Sequence, residues 1–488
     1  MPSRTPQKRF TSAPLIERVP AQVWPGLTSL AFVILGTAYF FRWGSIVQHH
    51  PSSWISPDDL WITYGAAVAL VHGHLGAIYG GNSGFLAFPG FLLLLLPVAA
   101  LSSSLQTTLL QITKNHHPLA QPLVLTVHGS AIPHTEVLTS GGSQYIPQPE
   151  ALVYLAPFVL LLSCTALFAC DALAERLDVP VRRRMVLCLV EGVALWNVSV
   201  LWGHPEDAVA VALALFAVIF ALDERFTGAG WLAGAAVAVQ PLVIVLLPIL
   251  IAIGGRQRAL SLVLRAAAPA AALTIAPLAS DVHATVHALV SQPAYPVRNH
   301  RTPWTALAPS LGGKGVNATV GGGPVRIAAL ALAVAVGVWA RRWRGNPAML
   351  VWAVALALGL RCYTESVMTA YYVWPVLAVG VVVAARATAW RFGTSIVVVV
   401  LTTVVAQWHL SEWPWWILNV VGVTALLVLS ARPEEVEPDR NTQSSRPRAF
   451  APKSPPRTSP SQKDSTPHKK ANANAKAARV DTKRSGQR

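Results

Sequence analysis

Residues 203–223 read GHPEDAVAVALALFAVIFALD. After the charged turn that ends at Asp207, 15 consecutive residues carry no polar side chain before Asp223. The run is continuous rather than alternating, which excludes a lipid-facing barrel strand. In lipid that leaves the α-helix, which satisfies its own backbone hydrogen bonds. The same pattern recurs along the chain. Runs long enough to cross a bilayer cover 27–46, 151–174, 185–203, 207–223, 259–279, 325–341, 347–364, 366–386, 393–409 and 414–431. Two further apolar runs are broken: 86–101 by Pro89, Gly90 and Pro97, and 229–253 by Gln240–Pro241. The 488 residues are 53% hydrophobic and 12% charged, with mean hydropathy +0.47. A soluble domain carries about 25% charged residues. The expected fold class is therefore an all-α polytopic membrane protein with 10–12 transmembrane helices.

The net charge of +16 orients the spans. Basic clusters stand at Arg4/Lys8/Arg9/Arg18, Arg176/Arg182/Arg183/Arg184, Arg256/Arg258, Arg341/Arg342/Arg344 and Arg386/Arg391. If both broken runs are re-entrant, every cluster falls on one side. By the positive-inside rule that side is cytoplasmic, with both termini. The expected layout has a basic cytoplasmic segment over 1–26 and a transmembrane domain over 27–431. Its outer segments are a first loop 47–85, a polar stretch 102–150 and a loop 281–324. A disordered basic tail occupies 432–488, where 14 Lys and Arg face six Asp and Glu. The tail is either a topology anchor or a surface for anionic lipid headgroups; no nucleic-acid partner is expected. The first 25 residues are too polar for a cleaved signal. Cys164, Cys170, Cys188 and Cys362 lie inside apolar spans without CxxC spacing and read as small buried hydrophobes.

The outer side collects the residues able to do chemistry. Asp58 and Asp59 follow the first span; a carboxylate there is either a general base toward a hydroxyl or the cap of the helix that follows. His204, Glu206 and Asp207 open another helix, where acids favour the N-terminus. One His beside two acids is a weak metal set, and neither a metal nor a cofactor is expected. In RCYTESVMTAYYVWP, Arg361, Glu365, Tyr371, Tyr372 and Trp374 flank a tight outer turn. They suit sugar recognition and also an interfacial aromatic belt. Arg298, His300, Arg301 and Lys314 form a basic group on the side poor in cations, where phosphate recognition competes with a solvated loop.

The segment DDLWITYGAAVALVHGHLGAIYGGNSGFLAFPGFLLLLLPVAAL, starting at Asp58, resembles the first outer loop of GT-C glycosyltransferases. The shared marks are the acids, the Gly73–Gly76–Tyr79 spacing and the Phe88–Pro89 start of an apolar run. The chain is similar to bacterial enzymes that use polyprenyl-phosphate sugars, notably mycobacterial-type α-mannosyltransferases. DERFTGAGWLAGAAVAVQPLVIVLLPILIAIGGRQR looks like their "aGlllGlaaalKP" segment, with Gln240 in place of Lys. YTESVMTAYYVWPVLA looks like their last outer turn, with Glu365 near the place of their paired His. The resemblance implies a cell-membrane glycosyltransferase. Its donor would be a polyprenyl-phosphate sugar, mannose by that likeness, and its acceptor a cell-envelope glycolipid or glycan. Asp58 or Asp59 would take the acceptor proton, and transfer would invert the anomeric carbon. The leaving phosphate would meet Arg298, His300 and Arg301, a role drawn from phosphate chemistry rather than from a family motif. The broken runs leave a second reading open, a transporter or flippase for a lipid-linked or small anionic solute.

Overall fold

The computed structural model describes residues 23–47, 58–79, 85–101, 124–127, 130–133, 135–139, 142–146, 149–291, 293–294, 300–311, 318–321, 324–408 and 410–431. The basic N-terminal segment up to residue 22, the tail from 432 and Arg298 lie outside them. The chain divides into one unit over Met1–Val436 and another over Glu437–Arg488.

The first unit is a helical membrane protein. Among the described residues, nine helices are long and apolar enough to cross a bilayer. The first crossing helix is α1 (Val23–Val47), and α2 (Asp58–Val71) and α3 (Gly90–Leu101) follow it. The pair α4 (Pro149–Ser163) and α5 (Thr165–Arg176) together make one crossing. Next come α6 (Val181–Trp196), α7 (Pro205–Leu222), α8 (Phe226–Val239), α9 (Leu247–Gly254) and α10 (Ala259–Ser280). After the short α11 (Val282–Val286) run α12 (Pro324–Ala340), α13 (Pro347–Thr364), α14 (Trp374–Ala384), α15 (Ala389–Ala406) and α16 (Glu412–Ser430). Short antiparallel strand pairs join them; two hairpins, Val124–Val127 with Ser130–Pro133 and Thr135–Thr139 with Gly142–Ile146, occupy part of the polar stretch.

Nine of the ten expected crossings are present at crossing length. The exception is 366–386, which divides into a two-residue strand, a 3-10 turn over Ala370–Val373 and the 11-residue α14. The run 229–253 breaks where its sequence does. Pro241 has no N–H to continue the ladder and forces the residue before it into extended backbone. Gln240 accordingly sits at φ −144°, ψ 110°.

The helices pack through small residues. A Cβ on Gly234 in α8 would stand 2.5 Å from the Arg265 carbonyl oxygen of α10 and 2.8 Å from the Pro269 ring. Without a hydrophobic force between helices in lipid, such close approach supplies the dispersion contacts that hold them.

The basic turns gather at one end of the bundle and close helix C-termini. Arg183 Nη1 donates to the carbonyls of Ala385 (2.7 Å) and Ala387 (2.6 Å) beyond α14, and Arg344 Nε to Ala252 in α9 (2.6 Å). Arg176 Nε pairs with Asp223 at 2.7 Å, and Arg184 pairs with Asp171 at 2.8 and 2.5 Å. A cation at a helix C-terminus contributes about 0.3–1 kcal/mol. The helix starts that carry the acids gather at the opposite end. There α2 has both flanks against the same end of the bundle: Asp59 meets the start of α7, and Gly76 lies beside Ser280 at the end of α10.

Candidate functional site

The site is built from helix ends. The π turn Asn197–Leu201 extends α6, and Gly203 then turns the chain at φ +67°, a conformation that favours glycine. His204 follows as the N-cap of α7, with Pro205 at the first helical position. This geometry buries His204, Glu206 and Asp207 together at 9%, 7% and 4% exposure.

His204 Nδ1 lies 2.6 Å from Glu206 Oε1, and its Nε2 lies 3.0 Å from Asp59 Oδ2 at the start of α2. An imidazole flanked by two carboxylates is a double donor in its protonated form. Burial by itself lowers the pKa of His204. The Glu206 carboxylate, with Asp59, outweighs that, and the imidazole is held well above its ordinary 6.5. The result is a carboxylate–imidazolium–carboxylate array. Its Asp59 end stays half exposed, at 53% of the side chain.

The sign of the shift gives a pH dependence. A raised folded-state value means the array stabilises the fold fully below 6.5 and loses that contribution as pH rises through the raised value. Thermal unfolding of the nanodisc-held protein is expected to show the melting temperature falling above pH 6.5. The His204→Gln variant should show a flatter dependence over the same interval. An equal fall in that variant would contradict the assignment.

Beside the array, Gln240 Nε2 donates to Asp207 Oδ1 at 2.6 Å, so the break between α8 and α9 delivers a side chain to the site. Glu206 Oε2 and Asp207 Oδ2 are buried with no hydrogen-bond partner among the described residues. Buried orphan oxygens of this kind are rare in folded proteins. A chain of rings leads away from His204. Tyr371 stacks on it at 4.0 Å between centroids, and Tyr372 meets Tyr371 edge-on at 4.9 Å. Trp202 stands 5.8 Å from Tyr371. The Arg361 guanidinium sits 3.0 Å over the Tyr372 ring. Its Nε lies 3.1 Å from Glu365 Oε1, and Arg326 Nε reaches the same oxygen at 3.3 Å. Two guanidiniums converge on one carboxylate, and Arg is the side chain suited to oxyanions.

The turn that carries these rings is tied from outside. Residues His300 and Arg301 pair with Met368 and Val367 as short strands. Thr302 Oγ1 donates to the Glu365 carbonyl at 2.6 Å, and Trp304 Nε1 to that of Tyr363 at 2.5 Å.

Eight of the residues singled out in the sequence come together here: Asp59, His204, Glu206, Asp207, Arg361, Glu365, Tyr371 and Tyr372. Asp58 opens α2, and its side chain lies outside the described residues. Of the basic loop group, Arg298 and Lys314 also lie outside them. The His300 ring stacks on Trp415 at 3.7 Å, and Arg301 is exposed. The cations placed beside Glu365 are Arg361 and Arg326. Arg361 is already among the residues of the outer turn in the sequence, whereas Arg326 is a single charge at the start of an apolar run. Among the described residues, no group of three or more His, Cys, Asp or Glu is arranged to hold a metal ion.

Compared with models of known families, with curated proteins and with solved structures, the chain matches none.

Proposed function

We propose that this protein is a glycosyltransferase that moves a sugar, mannose in the first instance, from a polyprenyl-phosphate donor to a cell-envelope glycolipid or glycan. The observation that carries the reading is the half-exposed Asp59 carboxylate anchored by His204 and Glu206, joined through Tyr371 and Tyr372 to the Arg361–Glu365–Arg326 cluster.

In this reaction Asp59 accepts the proton of the acceptor hydroxyl. The hydroxyl oxygen forms a bond to the anomeric carbon from the face opposite the phosphate. The carbon–oxygen bond to phosphate breaks with its electron pair on the phosphate oxygen, and configuration inverts. His204 acts as a positioning residue that holds the Asp59 carboxylate by a charge-assisted hydrogen bond. Arg361 and Arg326 meet the charge developing on the departing phosphate. The orphan oxygens of Glu206 and Asp207 suit sugar hydroxyls, and the tyrosine rings suit a sugar face. Positive-inside orientation supports a site on the extracytoplasmic face of the plasma membrane, with both termini and the basic tail in the cytoplasm facing anionic headgroups.

The break at Gln240 also suits a carrier, because discontinuous helices line the substrate sites of transporters. Lipid and glycan profiles of cells lacking the protein separate the two readings. The transferase reading expects a glycan or glycolipid shortened by one sugar and restored by the wild-type gene. A full-length glycan together with mislocalised lipid-linked sugar would favour the carrier.

A further inference from the structure

A cavity of about 450 Å³ lies between α1, α6 and α15. That size falls within the roughly 300–1,000 Å³ of ligand clefts. Phe32, Leu35, Val193, Trp196, Val404 and Trp408 are among its apolar lining residues. Leu35 and Val193 are more than half exposed, so the cavity is a groove open sideways to the lipid. It climbs α6 from Leu189 toward Leu201 and so runs toward the end of the bundle that holds His204.

At its upper end the lining changes character. Gln407 Nε2 donates to Asn197 Oδ1, and Asn197 Nδ2 donates to the carbonyl of Ala370 at 3.3 Å. Ala370 precedes Tyr371, and Trp202 just beyond the groove stands against the Tyr371 ring. The groove head therefore abuts the His204 side of the site. Among the described residues that line the groove, none is charged.

Resting on the transferase reading above, we infer that this groove seats a hydrocarbon chain of the acceptor, and that the acceptor is a membrane lipid with a neutral, hydroxyl-bearing headgroup. The apolar wall, open to the bilayer, suits a chain that enters sideways. The amide pair offers donors and acceptors to a hydroxyl or ester. A phosphate-bearing lipid needs cations at the groove head; the described lining residues carry none, and Arg361 and Arg326 stand beyond Tyr371 and Tyr372. A headgroup at the groove head, passing the packed Trp202–Tyr371 pair, comes to the His204 side of the site, and Asp59 lies 3.0 Å from the His204 ring. The nucleophile and the base then share one side of the site, with the leaving phosphate on the other.

The test uses the full-length protein in nanodiscs. The probe is a monoglucosyl diacylglycerol with a photoactivatable diazirine in one acyl chain, and labelled peptides are read by mass spectrometry. Saturable labelling of residues 181–201 and 389–408 is expected. Unlabelled monoglucosyl diacylglycerol should compete for it, and undecaprenyl phosphate should not. Val193→Trp fills the groove from an exposed position and should lower labelling by roughly tenfold, a loss of about 1.4 kcal/mol. Val404→Trp should do the same from the α15 side. Competition by undecaprenyl phosphate would assign the groove to the donor and overturn the proposal. Equal competition by phosphatidylglycerol, or labelling that survives both substitutions, would overturn it as well. Labelling needs no turnover, so its failure in a preparation that transfers sugar rejects the groove alone. Specific labelling in a preparation with no transfer rejects the transferase reading.

Discussion

Asp59→Asn is expected to lower sugar transfer by about 10²–10⁴, the contribution of a well-placed general base. The amide matches the carboxylate in size, and its oxygen still accepts from His204 Nε2, which lies 3.0 Å from Asp59 Oδ2. Asp59 is half exposed, so the change costs little packing. What disappears is the capacity to take a proton. Asp58→Asn should keep most of the activity, because the base assigned here is Asp59, the acid bonded to His204. Initial rates in nanodiscs, with a thermal melt of each variant, check both. Near-wild-type transfer by a folded Asp59→Asn protein would remove Asp59 from the chemistry.

The second large effect is expected at Arg361. Arg361→Gln should cut the turnover number by about 10²–10³, as loss of one preorganised charge stabiliser does. The loss should fall on turnover more than on KM, because the charge on the leaving oxygen grows only as the bond to sugar breaks. Arg361→Lys should recover only part of it. An ammonium keeps the charge but not the planar fork, which here spans the Tyr372 ring and Glu365 Oε1. Arg326 still partners Glu365 in these variants, so the carboxylate is not left alone in the interior. Arg326→Gln serves as the companion variant, with a smaller expected loss. A rise in KM with unchanged turnover would mean that Arg361 binds the ground state and has no part in the barrier.

Much of the fold is legible in the sequence because lipid permits few structures. The apolar stretch after Asp207 has one way to satisfy its backbone, and the helix Pro205–Leu222 follows. The QP break is legible for the same reason, since proline restricts the residue before it. The segment 366–386 is not. Its apolar content suits a crossing helix, yet Val367 and Met368 pair with the strand His300–Arg301, and only Trp374–Ala384 is α-helical. Its residues are buried inside the protein, and hydropathy does not distinguish that environment from lipid.

The site divides along similar lines. Charged and aromatic residues stand out on an apolar chain, which is why Asp59, His204, Glu206, Asp207, Arg361, Glu365, Tyr371 and Tyr372 are visible as candidates. Their partnerships are not visible, because His204 and Asp59 are 145 positions apart. Gln240 reads in the sequence as part of the QP break and as a departure from a lysine, whereas the structure gives its side chain a bond to Asp207. Arg326 carries no local signal, and only the approach of α12 to the end of α13 brings it to Glu365.

The central claim is that the Asp59–His204–Glu206 array performs transfer rather than transport. The most direct measurement supplies the nanodisc-held protein with radiolabelled polyprenyl-phosphate mannose and a neutral glycolipid pool. The account predicts label in a new glycolipid and one polyprenyl phosphate released for each sugar moved, both lost in Asp59→Asn. Donor that stays chemically intact while the same protein in proteoliposomes moves it across the bilayer would contradict the account.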